Sequence, residues 1–341
     1  MSERKKISQP VTIYDVAREA GVSDATVSRV FNNKNNVRAE TRERVLKVAE
    51  KLGYVANLQA RMLAGGKSNI IGLLVPGLDT AYMAAIIRGI DLELSVAGYE
   101  LLLYTTRRRS ANEASYLQYI ANSVSYGLLL VVPLLSQKYL EVLSDLTYPY
   151  VLIDEVDETN TSFSVDSTNW QGAYDATQYL IKLGHRKIAF ITGIPLHTSN
   201  NRLEAYKAAL EESGILIRKE YIASGDFSQS SGYQQTLKLM ALSDPPTAIF
   251  AANDVMAIGV MDAVRELGMD IPADVSVVGF DDIPQASTTH PKLTTVRQPL
   301  EQMGREGVRL LLEQLEYPDR PPRRLTLATE LVIRDSCKSI K

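Results

Sequence analysis

The sequence predicts a small all-α head followed by a larger α/β body of two lobes. Three features lead there. Helical spacing with caps and glycine stops fills the first 57 residues, and strand, loop and helix alternate from residue 69 onward. Charge divides at the same place: residues 1–67 hold 13 of the 37 Lys and Arg against 7 of the 40 Asp and Glu, net +6, whereas the remainder carries net −9. A basic head on an acidic body suits a head held to phosphates and a body that repels them. The length of 341 residues exceeds one ordinary domain, and the hydrophobic fraction of 45% supports a real core.

Thr12 followed by Asp15 has the form of an N-capping box, after which Ile13, Val16, Ala17 and Ala20 share one helical face. Gly21 stops this first helix after barely two turns. Ser23 caps a second, in which Val27, Val30 and Phe31 point inward while Asp24, Ala25, Ser28 and Arg29 point outward. A third, residues 39–52, buries Val45, Val48, Ala49 and Leu52 and ends at Gly53. Helix, tight Gly-Val-Ser turn and a short helix with small outer residues is the helix-turn-helix pattern of DNA-binding domains.

The major groove of B-form DNA admits one helix, and small residues at its N-terminal end let it approach base edges. Arg29 is the candidate base reader, since its planar fork can bond guanine O6 and N7 together; contact with phosphate or an acid is the alternative. Thr26, Ser28, Asn32 and Thr41 are short donors suited to phosphate oxygens. Thr12, Ser23, Asp24, Ala25 and Asn36 complete the expected DNA face. Tyr14 suits either a DNA contact or simple packing.

Asn57 begins a segment of about two turns that ends at Gly65 and Gly66, too short to be a stable helix alone. Residues 58–67 are therefore expected to be a hinge that becomes helical on DNA. Two copies lie antiparallel in the minor groove, with Ala60 and Leu63 against it and Leu63 wedged between base pairs. A plain linker is the alternative. Gly65-Gly66-Lys67-Ser68 fails as a phosphate loop: the first glycine would fall at Arg61, and the segment precedes a strand.

In the body, apolar strands near residues 70–75, 100–104, 128–132 and 151–153 alternate with helices, and a second series runs from Trp170 through strands near 187–191, 248–251 and 276–278. Such runs imply parallel sheets covered on both faces, hence two Rossmann-like lobes. Ligands bind beyond the carboxyl ends of strands in such sheets. Those ends hold residues 77–82, 105–107, Asp154, Asn253, Asp254, Asp281 and Asp282. Capping or loop solvation is the alternative for each.

Residues 12–57, from TIYDVAREAGVSDATVSRVFNN to KLGYVAN, resemble the lactose-repressor/galactose-repressor family of bacterial regulators almost position by position. LQARMLAGG, IIGLLVP, LGHRKIAFITG, RLEAY, PPTAIFAANDVMAIGVM, DVSVVGFDDIP and LTTVRQP extend the likeness along nearly the whole chain. The resemblance implies a homodimer on a pseudo-palindromic operator of double-stranded DNA and a periplasmic-binding-protein-like sensor for a sugar or related metabolite. It further implies effector contacts at Tyr82, Arg202, Phe227, Asn253 and Asp281. Asp79 and Trp170 join them on physical grounds: a carboxylate accepts from sugar hydroxyls, and an indole stacks on a pyranose. Packing at a helix start is the alternative for Trp170.

The implied organisation is a DNA-binding domain over residues 1–57, a hinge over 58–67 and a sensor over 68–341. Its N-lobe takes about 68–166 and 298–325, its C-lobe about 167–297 and 326–341. Two departures stand out. Thr80-Ala81-Tyr82-Met83 replaces the family's frequent Asn-Pro-Phe-Phe, and no heptad segment follows LVIRDSC, so a dimer is expected instead of a tetramer.

A single cysteine, Cys337, argues against a disulfide framework or a cysteine-rich zinc site. With no signal-peptide core and no membrane-length apolar run, a cytoplasmic location without membrane contact is expected. No cofactor, metal or catalytic residue is expected. The three histidines form no metal cluster: His185 and His290 read as structural, and His197 as a loop residue near the cleft. The alternatives are a sugar-binding protein without DNA function, opposed by the basic head, and a sugar- or nucleotide-acting enzyme, opposed by the missing motifs.

Overall fold

The computed structural model describes residues 11–31, 36–54, 68–106, 120, 125–132, 143, 148–156 and 161–340. They form two compact units: described residues up to 70 together with 125–126, and the remainder.

The first unit holds α1 (Ile13–Ala20), α2 (Asp24–Phe31) and α3 (Ala39–Leu52). Asp15 Oδ2 accepts from the Thr12 backbone N–H at 3.0 Å and from its hydroxyl at 2.7 Å, which fixes the start of α1. Gly21 turns the chain at φ 63, and Val22 N–H closes the helix on Ala17 O at 3.0 Å. Val16, Ala17 and Ala20 pack with Val27 and Val30 of α2 and Val45 and Ala49 of α3 in one core. Val48, Leu52 and Phe31 are only partly buried around it. Arg42 of α3 donates to Val30 O at 3.0 Å, tying down the end of α2.

The second unit contains two sheets of six described strands each. In spatial order the first is β11 (Arg324–Leu327), β5 (Phe163–Ser167), β4 (Tyr150–Ile153), β3 (Gly127–Val131), β1 (Ile70–Val75) and β2 (Glu100–Thr105). The other is β12 (Glu330–Val332), β10 (Thr294–Arg297), β9 (Ser276–Asp281), β8 (Ala248–Ala251), β6 (Ile188–Thr192) and β7 (Ile222–Ser224). The registered pairs are parallel except β10 with β12, which is antiparallel, a departure from the purely parallel expectation. The helices are α4 (Ala81–Ala97), α5 (Asn169–Lys182), α6 (His197–Glu212), α7 (Gln229–Met240), α8 (Asp254–Glu266) and α9 (Leu300–Glu316).

Helix α9 lies on the first sheet beside α4 at very close range: a Cβ added to Gly89 would fall 2.0 Å from Glu301 O. Phe190, Tyr206, Phe250 and Phe280 fill the core around the second sheet. The chain crosses between the sheets three times, from β5 into α5, from β10 into α9 and from β11 into β12. Those crossings place the carboxyl ends of both sheets around one cavity.

Candidate functional site

The cavity is lined by Asp79, Tyr82, Asp154, Arg202, Phe227, Asn253 and Asp281, with Met83, Val132, Ile194, Leu196 and Val255 as apolar wall. Strands β1, β4, β8 and β9 deliver their following residues to it, as open α/β sheets do. Its backbone is unusual. Val132 (φ 46), Asp154 (φ 56), Phe227 (φ 69) and Asp281 (φ 115) all take positive φ, which side-chain-bearing residues adopt at an energetic cost and which clusters where function demands it.

Arg202 is buried and held through Nε and Nη1. Its Nε donates to Asn169 Oδ1 at 2.8 Å, Nη1 donates to Ala252 O at 2.6 Å, and Nη1 lies 3.7 Å from Asp281 Oδ1. Its guanidinium stacks 3.7 Å from the Phe280 ring centroid. The cation therefore faces the cavity in one orientation. Tyr82 donates to Asp154 Oδ2 at 2.5 Å, and Asp154 Oδ1 has no hydrogen-bond partner. A buried acceptor left open is suited to a donor on a bound molecule. Asn253 Oδ1 caps α8 through Met256 N–H at 2.9 Å while Nδ2 donates to Phe227 O at 3.3 Å, so it both caps a helix and shapes the wall.

Burial raises the carboxyl of Asp154 to about 6, against the pull of Arg202 and the Tyr82 hydroxyl. Asp281 is raised for the same reason, opposed by Arg202 and Gln298. Asp254 is raised well above its ordinary range by burial and by Asp281. It accepts from Thr295 Oγ1 at 2.5 Å and Ile283 N–H at 2.9 Å. Among the described residues no cluster of three or more His, Cys, Asp or Glu could hold a metal ion.

Trp170 is not among the residues of the cavity wall; it is 39% exposed on α5 and stacks on Tyr174 at 5.1 Å, which departs from buried packing. His197 is the first residue of α6 instead of a loop residue. His185 is buried between Thr247 Oγ1 at 2.9 Å and Lys338 O at 3.2 Å, and His290 O accepts from Arg265. Sequence reasoning missed Thr198 and Asp226 in the cavity wall and Gln298 behind it.

In the head, Asp24, Ala25 and Arg29 lie exposed on one side of α2, Ser28 is half-buried, and Tyr14 is 68% exposed. Ser23 Oγ caps α2 through Thr26 N–H at 3.2 Å and also meets Thr26 Oγ1 at 2.9 Å, so both hydroxyls help build the turn. Thr12 is likewise engaged with Asp15. Asn36 is exposed and Thr41 half-buried beside the start of α3. Asn32, Asn57, Ala60 and Leu63 lie outside the described residues, as does the whole of 58–67.

Residues 12–57 match the family model for bacterial regulatory proteins of the lacI family, and residues 177–337 match the model for a periplasmic binding protein-like domain. The catabolite control protein A of Priestia megaterium is 36% identical over 307 residues, covering 89% of this chain and 92% of that protein. Among solved structures, the lac repressor dimer bound to operator and the anti-inducer ONPF is 32% identical. It covers 97% of this chain and 100% of its own, with a TM-score of 0.86. The complex of the transcriptional regulator CelR with cellobiose is 33% identical, covers 96% of this chain and 99% of its own, and has a TM-score of 0.75.

Proposed function

Since the chain belongs to the lacI family of bacterial regulatory proteins and is a DNA-binding transcriptional repressor, not an enzyme, we propose that a sugar-like small molecule held in the cavity controls its grip on DNA. The observation that carries this reading is the cavity's pairing of a buried, unpartnered Asp154 Oδ1 with apolar and aromatic walls. A sugar offers hydroxyl donors at its rim and C–H faces between them, which is the complement of such a wall. The cellobiose complex of a relative supports the same class.

The repressor acts as a cytoplasmic homodimer on a pseudo-palindromic operator and governs carbohydrate-utilisation genes. The solved dimer of a relative on its operator supports this assembly. Arg29 reads a base from α2, with Asp24 and Ala25 beside it, Tyr14 and Thr41 on the backbone, and the remaining head residues setting register. The effector shifts operator affinity only through different affinity for the two sensor conformations.

A thermal-shift screen of neutral mono- and disaccharides tests the effector. Stabilisation at 100 times the dissociation constant is about 2.7 kcal/mol, and Asp154→Asn and Arg202→Met should abolish it. No stabilisation by any saccharide would refute the sugar reading.

A further inference from the structure

Two of the three crossings between the lobes meet at one side chain that the cavity wall does not include. Gln298 follows β10 at the start of the crossing into α9 and is 4% exposed. Both ends of its amide are used. Nε2 donates to Asp281 Oδ1 at 2.8 Å, and Oε1 accepts from Ser167 Oγ at 2.6 Å. Asp281 closes β9 in the second sheet, whereas Ser167 closes β5 in the first and leads into the crossing toward α5. That crossing is tied to the third one: the Thr168 and Thr329 hydroxyls meet at 2.9 Å, and Thr329 N–H donates to Thr168 Oγ1 at 2.9 Å.

A continuous line of hydrogen bonds thus joins a cavity carboxylate to the segments where the lobes connect. The amide has one orientation that works, because turning it over would set its oxygen against the Asp281 carboxylate, where two acceptors would face each other. A proton on Asp281, or a donor from a bound molecule, weakens the bond that holds that orientation. We propose that Gln298 is a positioning residue of the effector cavity, fixing the Asp281 carboxylate on the wall and linking it through Ser167 to the first sheet, so that events in the cavity reach the lobe crossings. This rests on the cavity being the effector site.

The other charged groups around Asp281 are Arg202 on α6, Asp154 after β4 and Asp254 at the start of α8, with Asp282 next in sequence. All remain unchanged in the variants Gln298→Met, which keeps length and volume without the amide, and Ser167→Ala, which removes only the far partner. Both are tested in the full chain without effector.

One readout is the ¹³C carboxyl NMR titration of Asp281, assigned with Asp281→Asn. The other is the distance between spin labels at Asp319→Cys and Lys238→Cys, exposed sites on the two lobes, in a Cys337→Ser background. Gln298→Met should raise the Asp281 midpoint by about one pH unit, since a lost hydrogen bond to the charged form favours the acid. Both variants should broaden the interlobe distance distribution. An unchanged Asp281 midpoint in Gln298→Met, or distances in both variants that match the parent, overturns the proposal. Should Gln298→Met fail to fold, the Ser167→Ala distance distribution decides alone. Neither readout needs a sugar, so a failed saccharide screen and a failed positioning role are separable results.

Discussion

Asp154 carries two burdens at once, a strained backbone at φ 56 and a carboxyl that burial lifts from 3.8 to about 6. The sign of its effect on stability follows. A folded-state pKa above the unfolded one means the native protein binds the proton more tightly, so the contribution is complete below about pH 3.8 and lost as pH rises through about 6. Urea melts between pH 4 and 8 should show the parent losing stability relative to Asp154→Asn over that window; parallel curves would contradict it. Gly193 is a second telling residue. A Cβ there would sit 2.0 Å from the Phe227 ring, so Gly193→Ala should cost about 1–3 kcal/mol by overpacking. In a Phe227→Ala background the penalty should largely vanish, and its persistence would show that the ring is not the obstacle. Asp281, Asn253 and Arg202 were legible because they lie at strand ends or in motif-like runs. Trp170 could not be placed from the sequence, because an aromatic at a helix start says nothing about which face it takes. Gln298 left no signal, since its bonds to Asp281 and Ser167 exist only once two crossings are brought together.

At the scale of elements, α2 is the helix proposed to read DNA. Its inner face is locked by Val27 and Val30, and Arg29 lies exposed on its outer face. Arg29→Lys keeps the charge but loses the planar fork. Affinity for the preferred site should therefore fall by about 1–3 kcal/mol while binding to random duplex barely changes, as read by fluorescence anisotropy. Equal losses on both DNAs would assign Arg29 to phosphate. The head helices were readable because capping pairs, glycine stops and apolar spacing agree at each boundary. The start of helix α6 was not evident, leaving His197 in a loop, because Leu196 precedes it with no capping side chain and its first turns bury Thr198, Ser199 and Arg202 in place of apolar residues. Strand β5 escaped notice for a related reason: Phe163–Ser167 is buried throughout, yet Ser164, Asp166 and Ser167 hide that in the sequence. Short strands β10, β11 and β12 carry too few residues to show a period.

At the scale of the whole molecule, the charge split was the most economical signal in the sequence, because it separates a part that meets phosphates from a part that does not. The two-sheet body follows from alternating strands and helices, while the antiparallel pairing of β10 with β12 depends on a late return of the chain that no local pattern encodes. No helix among the described residues is long and apolar enough to cross a membrane. The central claim is that the basic head selects a DNA sequence and that the body governs the strength of that selection. Enrichment of the purified full-length protein's targets from a random duplex pool tests it most directly. A pseudo-palindromic sequence should emerge, bound with an affinity that falls steeply as salt rises and changes when the stabilising saccharide is added. A pool that stays random after repeated rounds, with and without saccharide, would contradict it.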